Sequence, residues 1–277
     1  MKHFDSILIA HKPIVDTETQ DMIECVRSYA DYRDIPIIYY PNDLESNVLI
    51  ISIGGDGTML NAMRISTHYE DSTVVGFNTG TLGFLTEEVP EKLYDYLDAI
   101  MFERNVKLES RMILEGYFTV DDLESERLTA VNEFVLTAPA DAPLVTEVFI
   151  NDQFVSKQLG SGMLIASSTG STAMSLSAGG AIVSPSTNIM QIVPVLSHTL
   201  TARPIITSGN DEIRIVTTLS ERVPLVSIYA DGQTIFDEPG EEGNEIVLTV
   251  KKHQRNVHIW RPEDWNFFTV LTEKMKW

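Results

Sequence analysis

An acid sits inside a run of glycines at Gly54-Gly55-Asp56-Gly57-Thr58. The run follows the apolar stretch Val48 to Ile53 (VLIISI) and precedes a helix-like segment, Thr58 to Ile65. Open α/β sheets bind ligands at strand carboxyl ends and helix N-termini. Glycine lets backbone N–H groups approach a phosphate there without a Cβ in the way. An Asp beside bound phosphates is costly unless it holds a metal or accepts a proton. Local pattern alone leaves two readings of Asp56, a chemical group or a turn residue capping the helix.

Eleven of the 16 glycines fall in three such clusters. The second is Gly76, Gly80 and Gly83, in GFNTGTLGFL from 76 to 85, again a buried strand ending in small polar residues. The third is Gly160, Gly162, Gly170, Gly179 and Gly180, with a hydroxyl-rich loop between. Hydroxyls and free N–H groups suit a nucleotide. The first loop is neither a Walker A motif, since no Gly-Lys-Ser/Thr occurs, nor the dinucleotide fingerprint, since Leu60 stands where the third glycine belongs. His198 with Ser171 or Ser168 invites a hydrolase reading, but there is no G-x-S-x-G elbow and no assigned acid. Arg203, before Pro204, reads as structural. The six His show no zinc-ligand spacing.

The elements that position these loops show two textures. Phe4 to Ala10, Ile35 to Tyr40, Val48 to Ile53 and Thr73 to Phe77 read as strands. Asp16 to Tyr32, Thr58 to Ile65 and Glu91 to Met101 read as helices, with Asp16 or Thr17 as an N-cap and Pro90 in a first turn. This alternation predicts an open α/β layer. Beyond about residue 105, short strands dominate: Arg111 to Val120, Leu128 to Thr137, Val145 to Asn151, Glu212 to Thr218, Leu225 to Ala230 and Ile246 to Val250. Asn151-Asp152 and Asp231-Gly232 are turn candidates. One helix stands out there, Ser171 to Ala178. Glu263 to Trp277 reads as helical again. The expected division is an α/β domain at 1–104, a β-rich, sandwich-like domain at 105–259, and a segment at 260–277 packing back on the first.

Composition excludes several classes. The 277 residues carry 20 Lys plus Arg against 40 Asp plus Glu, a net charge of −20. That argues against nucleic acid and against a polybasic membrane patch. No apolar run approaches the length of a membrane span, and the N-terminal Met1-Lys2-His3-Phe4-Asp5 does not fit a signal peptide. The single cysteine, Cys25, forbids an internal disulfide, which fits a reducing, cytoplasmic setting. It is expected to be a small buried residue on its helix.

The combined motifs resemble the NAD kinase family along the whole chain. The matches are GGDGT at 54–58, NTGTLGFLT at 78–86, NE at 132–133, TGSTAMSLSAGGAIVSP at 169–185, PVLSHTLTARP at 194–204 and DGQ at 231–233. The resemblance implies an NAD kinase/diacylglycerol kinase-like fold, with a nucleotide site between the domains. It implies transfer of the ATP γ-phosphoryl group to the adenosine-side ribose 2′-hydroxyl of NAD, with Mg²⁺ arriving on ATP. It also implies a homodimer or homotetramer. Asp56 corresponds to the residue that activates the hydroxyl. Gly54, Gly55, Gly57, Thr58, Asn78 and Gly80 belong to the phosphate-side loops. Asn132 and Glu133 grip the dinucleotide, whereas Thr172, Ala173, Met174, Leu176 and Ser177 form a shelf for a base. Gln233 reaches the site from a turn.

Three positions depart from the family pattern. Ser161 stands where Asp is usual, Ser167-Ser168 where Thr-Pro is usual, and Met174 where Tyr is usual. Ser161 removes a charge, and Met174 replaces a stacking ring with a flexible chain. The phosphoryl-transfer residues are retained while the acceptor pocket is altered. A kinase preferring NADH or another adenine nucleotide, and a nucleotide-binding sensor or sink, are therefore the alternatives to an NAD kinase.

Overall fold

In the computed structural model, all residues are described except 1–2, 42–46, 81–82, 103–106, 122 and 140–141. The loop positions Thr81 and Leu82 therefore lie outside the described residues. The chain divides into two compact units, Met1–Arg111 with Asn256–Trp277, and Met112–Arg255.

The first unit is built on a seven-stranded sheet. Its elements are β1 (Ser6–His11), α1 (Thr17–Arg33), β2 (Ile37–Ile38), β3 (Val48–Ile53), α2 (Asp56–Ser66), β4 (Ser72–Asn78), β5 (Glu87–Glu88), α3 (Leu93–Phe102) and β6 (Lys107–Arg111). The chain returns to it with β20 (Val257–Arg261) and α5 (Phe267–Met275). The order is β2-β1-β3-β4-β20-β6, with β5 beside β4. Pairing is parallel throughout except between β20 and β6. All six residues of β3 are buried, as a strand flanked by parallel neighbours and covered on both faces must be. Asp16 caps α1 by accepting from the Thr19 N–H. Met22, Ile23, Val26, Tyr29 and Ala30 form the buried face of that helix.

Cys25 corrects an expectation, because it is exposed. It falls on the outer face of α1 with Asp21, Ser28 and Tyr32, all exposed. Helical phase outweighs the general tendency of cysteine to be buried.

Among its described residues the second unit is all β apart from one short helical stretch. Its elements are β7 (Leu114–Val120), β8 (Leu123–Glu124), β9 (Leu128–Ala130), β10 (Glu133–Thr137), β11 (Leu144–Ile150), β12 (Gln153–Gly160), β13 (Gly162–Ser167), α4 (Met174–Ser177), β14 (Ile189–Val195), β15 (Ile205–Ser208), β16 (Ile213–Thr218), β17 (Leu225–Ala230), β18 (Gln233–Pro239) and β19 (Glu245–Lys252). One sheet runs β15-β14-β13-β10-β17-β18, and the other β12-β11-β16-β19-β7-β8 with β9 beside β7. Phe134, Leu136, Met163, Ile165 and Ile228 from the first share a core with Leu114, Val148, Ile215 and Leu248 from the second. This is a sandwich. Asn151 and Asp152 both take positive φ, as the two-residue turn joining β11 to β12 requires. Asp231 and Gly232 do the same between β17 and β18.

The helix expected over Ser171 to Ala178 is broken. A 3₁₀ turn at Thr169–Thr172 ends at Ala173, whose φ and ψ are −98° and −133°, and α4 keeps only four residues. The Ser171 hydroxyl accepts from the Val183 N–H, which ties the turn to the segment that follows α4. Among the described residues, no helix is long and apolar enough to cross a membrane.

Candidate functional site

Each unit carries one cluster of the residues singled out above. In the first unit, the buried β3 delivers the chain to Gly54, whose φ is +151°. A Cβ there would lie 2.4 Å from the Thr58 hydroxyl oxygen, so only glycine fits. Gly55 is the N-cap of α2 and contributes no capping side chain. Among the described residues, nothing lies within 4 Å of where a Cβ would stand on Gly55 or Gly57. Among those residues the first turn leaves room for an anion, which a helix N-terminus favours through its leading N–H groups and dipole.

Asp56 is the first residue of α2 and does not cap it. Its carboxylate turns to the second glycine loop instead. It accepts the Phe84 N–H at 2.8 Å, the Leu85 N–H at 3.1 Å and the Thr86 hydroxyl at 3.3 Å. A Cβ on Gly83 would lie 2.0–2.2 Å from that carboxylate, so the glycine makes the close approach possible. Asn78 organises the same loop. Its amide nitrogen donates to the Thr86 hydroxyl oxygen at 2.9 Å, and its oxygen accepts the Gly80 N–H at 2.6 Å. Thr86 thus links Asn78 to Asp56. Gly80 itself is exposed.

The second cluster forms where β10 begins. Strand alternation places Glu133 on the same face as Val135, opposite the face that Phe134 turns to the sandwich core. Glu133 is 5% exposed, and its Oε2 has no hydrogen-bond partner among the described residues. Burial, and then the nearby Asp231 carboxylate, push its pKa up to about 8, against a donated Met174 N–H. Near neutral pH the side chain is thus mostly the neutral acid, with one oxygen to donate and one to accept. The sequence motif supplied a carboxylate here, but only burial sets its protonation.

Asp231 holds this corner in shape. Its carboxylate accepts the Val131 N–H at 2.9 Å, the Asn132 N–H at 2.7 Å and the Glu133 N–H at 3.3 Å. Ser167 adds a donation to the Val131 carbonyl at 2.6 Å. The 3₁₀ turn packs so tightly that a Cβ on Gly170 would lie 2.2 Å from the Asn132 carbonyl oxygen. In the sequence Asp231 stands as a turn residue within the DGQ match at 231–233, and Ser167 as part of a departure from the usual Thr-Pro, neither with a role at the site. Thr86 also went unassigned. Each acts through a long-range hydrogen bond with no local sequence signal.

Glu133, Asn132, Met174 and Asp231 thus meet at one end of the strand. Thr172, Ala173, Leu176 and Ser177 belong to the same 3₁₀ turn and α4, and Ser177 and Met174 are exposed. Gln233 opens β18 just past Asp231 and is exposed. Ser161 does not join them within this chain. Glu133 pairs with Ala166, whereas Ser161 precedes Gly162 at the other end of β13, about 16 Å along the strand at about 3.3 Å per residue. Ser161 is buried, and its carbonyl accepts the Thr137 hydroxyl at 2.7 Å.

Among the described residues, no group of three His, Cys, Asp or Glu side chains could hold a metal ion.

Family models match both parts of the chain. The ATP-NAD kinase N-terminal domain matches residues 42–105, and the ATP-NAD kinase C-terminal domain matches residues 131–257. An NAD kinase of Colwellia psychrerythraea is 38% identical over 276 residues, covering 98% of this chain and 91% of its own. An NAD kinase of Aeromonas salmonicida is 37% identical over 232 residues, covering 83% and 76%. The crystal structure of yeast NADH kinase complexed with NADH superposes with a TM-score of 0.84 at 23% identity, covering 99% of this chain and 88% of that one. That last likeness speaks to the fold alone. With both glycine loops, the Asn132-Glu133 pair and the two-unit α/β and β-sandwich architecture in place, the chain belongs to the NAD kinase family.

Proposed function

We propose that this chain transfers the γ-phosphoryl group of ATP to the 2′-hydroxyl of the adenosine ribose of NAD, yielding NADP. The observation that carries the reading is the setting of Asp56. Among the described residues, its carboxylate is fixed by three donors at the N-terminus of α2. A carboxylate has about four acceptor positions, which leaves one for a substrate hydroxyl. Asp56 takes the hydroxyl proton as the oxygen bonds to the γ-phosphorus and the bond to the departing ADP breaks. The rest of the work is positioning and charge neutralisation. Backbone N–H groups of the glycine loops provide part of it. Mg²⁺, arriving on ATP, supplies the remainder when bound.

In this reading Asn132 and Glu133 hold ribose hydroxyls, and the 172–177 stretch seats a base. A homodimer or homotetramer in the cytoplasm is the expected form. Asp56→Asn should fold normally and lose about 10²-fold or more in turnover. Near-normal turnover in that variant would remove Asp56 from the mechanism.

A second reading, preference for NADH or another adenine nucleotide, is favoured by Met174. It is 43% exposed beside Glu133, where a stacking ring is usual in the family pattern. Purified protein with Mg-ATP and NAD, NADH or other nucleotides, followed by product identification, separates the two. Nucleotide binding without transfer to any acceptor would leave only a sensor or sink.

A further inference from the structure

Behind Asp56 lies a cluster of charged residues for which phosphoryl transfer has no direct use. Arg261 ends β20, and its side chain is 1% exposed. Its Nε donates to Glu109 Oε2 at 3.0 Å, and its Nη1 donates to Glu87 Oε1 at 2.5 Å. Nη1 also donates to the Leu85 carbonyl at 3.0 Å. The guanidinium stacks on Trp265, 4.3 Å from the ring centre. Arg111 shares Glu109 Oε2 at 2.9 Å.

The Leu85 carbonyl is the informative partner. The Leu85 N–H binds Asp56, and so does the hydroxyl of the next residue, Thr86. The peptide linking 85 to 86 therefore sits between the arginine and two of the three donors to Asp56. Resting on the reading of Asp56 given above, we infer that Arg261 is a positioning residue for Asp56. It fixes the 84–86 backbone and so fixes the direction of the carboxylate.

Two observations oppose a purely stabilising role. A buried ionic cluster is at best weakly stabilising compared with apolar residues of the same volume. In addition, Arg261 Nη2 is buried with no hydrogen-bond partner among the described residues, which is a further cost. The position tolerates that cost while gripping the backbone that orients Asp56. Arg261 is too deeply buried to touch substrate, so its effect must pass through Leu85 and Thr86. The expected signature is a fall in kcat with substrate affinity kept.

The test is a double-mutant cycle on the full chain. Arg261→Met and Arg261→Lys are made in the native and the Asp56→Asn backgrounds. Initial rates give kcat and KM for NAD and ATP, and thermal unfolding checks the fold. Arg261→Met should lower kcat by about tenfold to a hundredfold, the cost of a small misplacement. Both KM values should stay within about threefold. Arg261→Lys should recover part of the loss. In the Asp56→Asn background, Arg261→Met should change the residual kcat by less than about twofold, since the group it positions is gone.

An equal loss in both backgrounds would overturn the inference, as would raised KM values with kcat unchanged. Should Arg261→Met not fold, Glu87→Gln loosens the same guanidinium while keeping side-chain shape. It must then lower kcat only where Asp56 is intact, and unchanged kcat would count against the clamp. Native turnover in Asp56→Asn alone sinks the reading of Asp56 itself. A normal Asp56→Asn loss with additive Arg261 losses sinks only the clamp.

Discussion

Glu133→Gln isolates the energetic cost of the buried carboxyl. The glutamine is neutral at every pH and nearly the same shape, so it mimics the protonated acid. Between 4.5, ordinary for a glutamate, and about 8, the folded protein keeps a proton that the unfolded chain releases. Stability then falls as pH rises, by about 1.4 kcal/mol per pH unit in that window. The whole contribution, about 5 kcal/mol, is present below the unfolded value and lost once pH passes about 8. About 3 kcal/mol of it lies between pH 6 and pH 9. The measurement is urea unfolding of both proteins, without nucleotide, at those two pH values. The glutamine variant should gain about 3 kcal/mol relative to the native protein on going from pH 6 to pH 9. Any constant cost of the altered hydrogen bond with Met174 cancels in this comparison. An identical stability difference at both pH values would refute the reasoning, because Glu133 would then not titrate in the window.

Three further changes probe the two clusters. Gly83→Ala places a methyl 2.0–2.2 Å from the Asp56 carboxylate and must turn it. Steady-state kinetics should show kcat reduced by about tenfold or more with the fold retained. Gly170→Ala drives a Cβ against the Asn132 backbone, and thermal or urea unfolding should show a loss of about 1–3 kcal/mol. The pair Ser161→Asp and Met174→Tyr restores the residues usual in the family pattern. Acceptor preference between NAD and NADH should shift by about tenfold, the worth of an aromatic stack, and an unmoved preference would show that these departures do not tune the acceptor.

What the sequence showed of the fold follows from how local each signal is. VLIISI was legible as β3 to the residue, because a strand buried on both faces is apolar throughout. Asp16 as the cap of α1 and the turns at 151–152 and 231–232 depend on neighbours a few residues away. By contrast, β12 went unread because its outer position leaves Phe154, Val155 and Leu159 exposed beside polar residues, blurring the alternation. Nothing in VHIWR reveals that β20 inserts between β4 and β6. At the site, the motifs named Asp56, Asn132 and Glu133. They did not show that Asp231 pins the backbone of Asn132, or that burial holds Glu133 neutral. Those are relations between residues about a hundred positions apart, or properties of an enclosure.

The charge of −20 gains a narrower meaning alongside these details. The proposed substrates are anions, so an acidic chain must bind them against its average field. The N-terminus of α2 and a neutral Glu133 both lower that barrier locally. Neither one needs a lysine or arginine.

The placement of β20 also governs the order in which the first unit can be completed during synthesis. Residues 257–261 pair with β4 on one side and β6 on the other, and Val257 lies opposite Arg111. A nascent chain emerges from its N-terminus, so β4 and β6 wait for a shared neighbour that follows after the entire sandwich. Folding of Met112–Arg255 beforehand shortens the effective loop between Arg111 and Val257 and lowers the entropy cost of closing the sheet. Arg261 arrives with the same strand. A ribosome-bound chain stalled before residue 257 would hold the Gly54–Thr58 loop and Asp56, but would lack the arginine that grips Leu85.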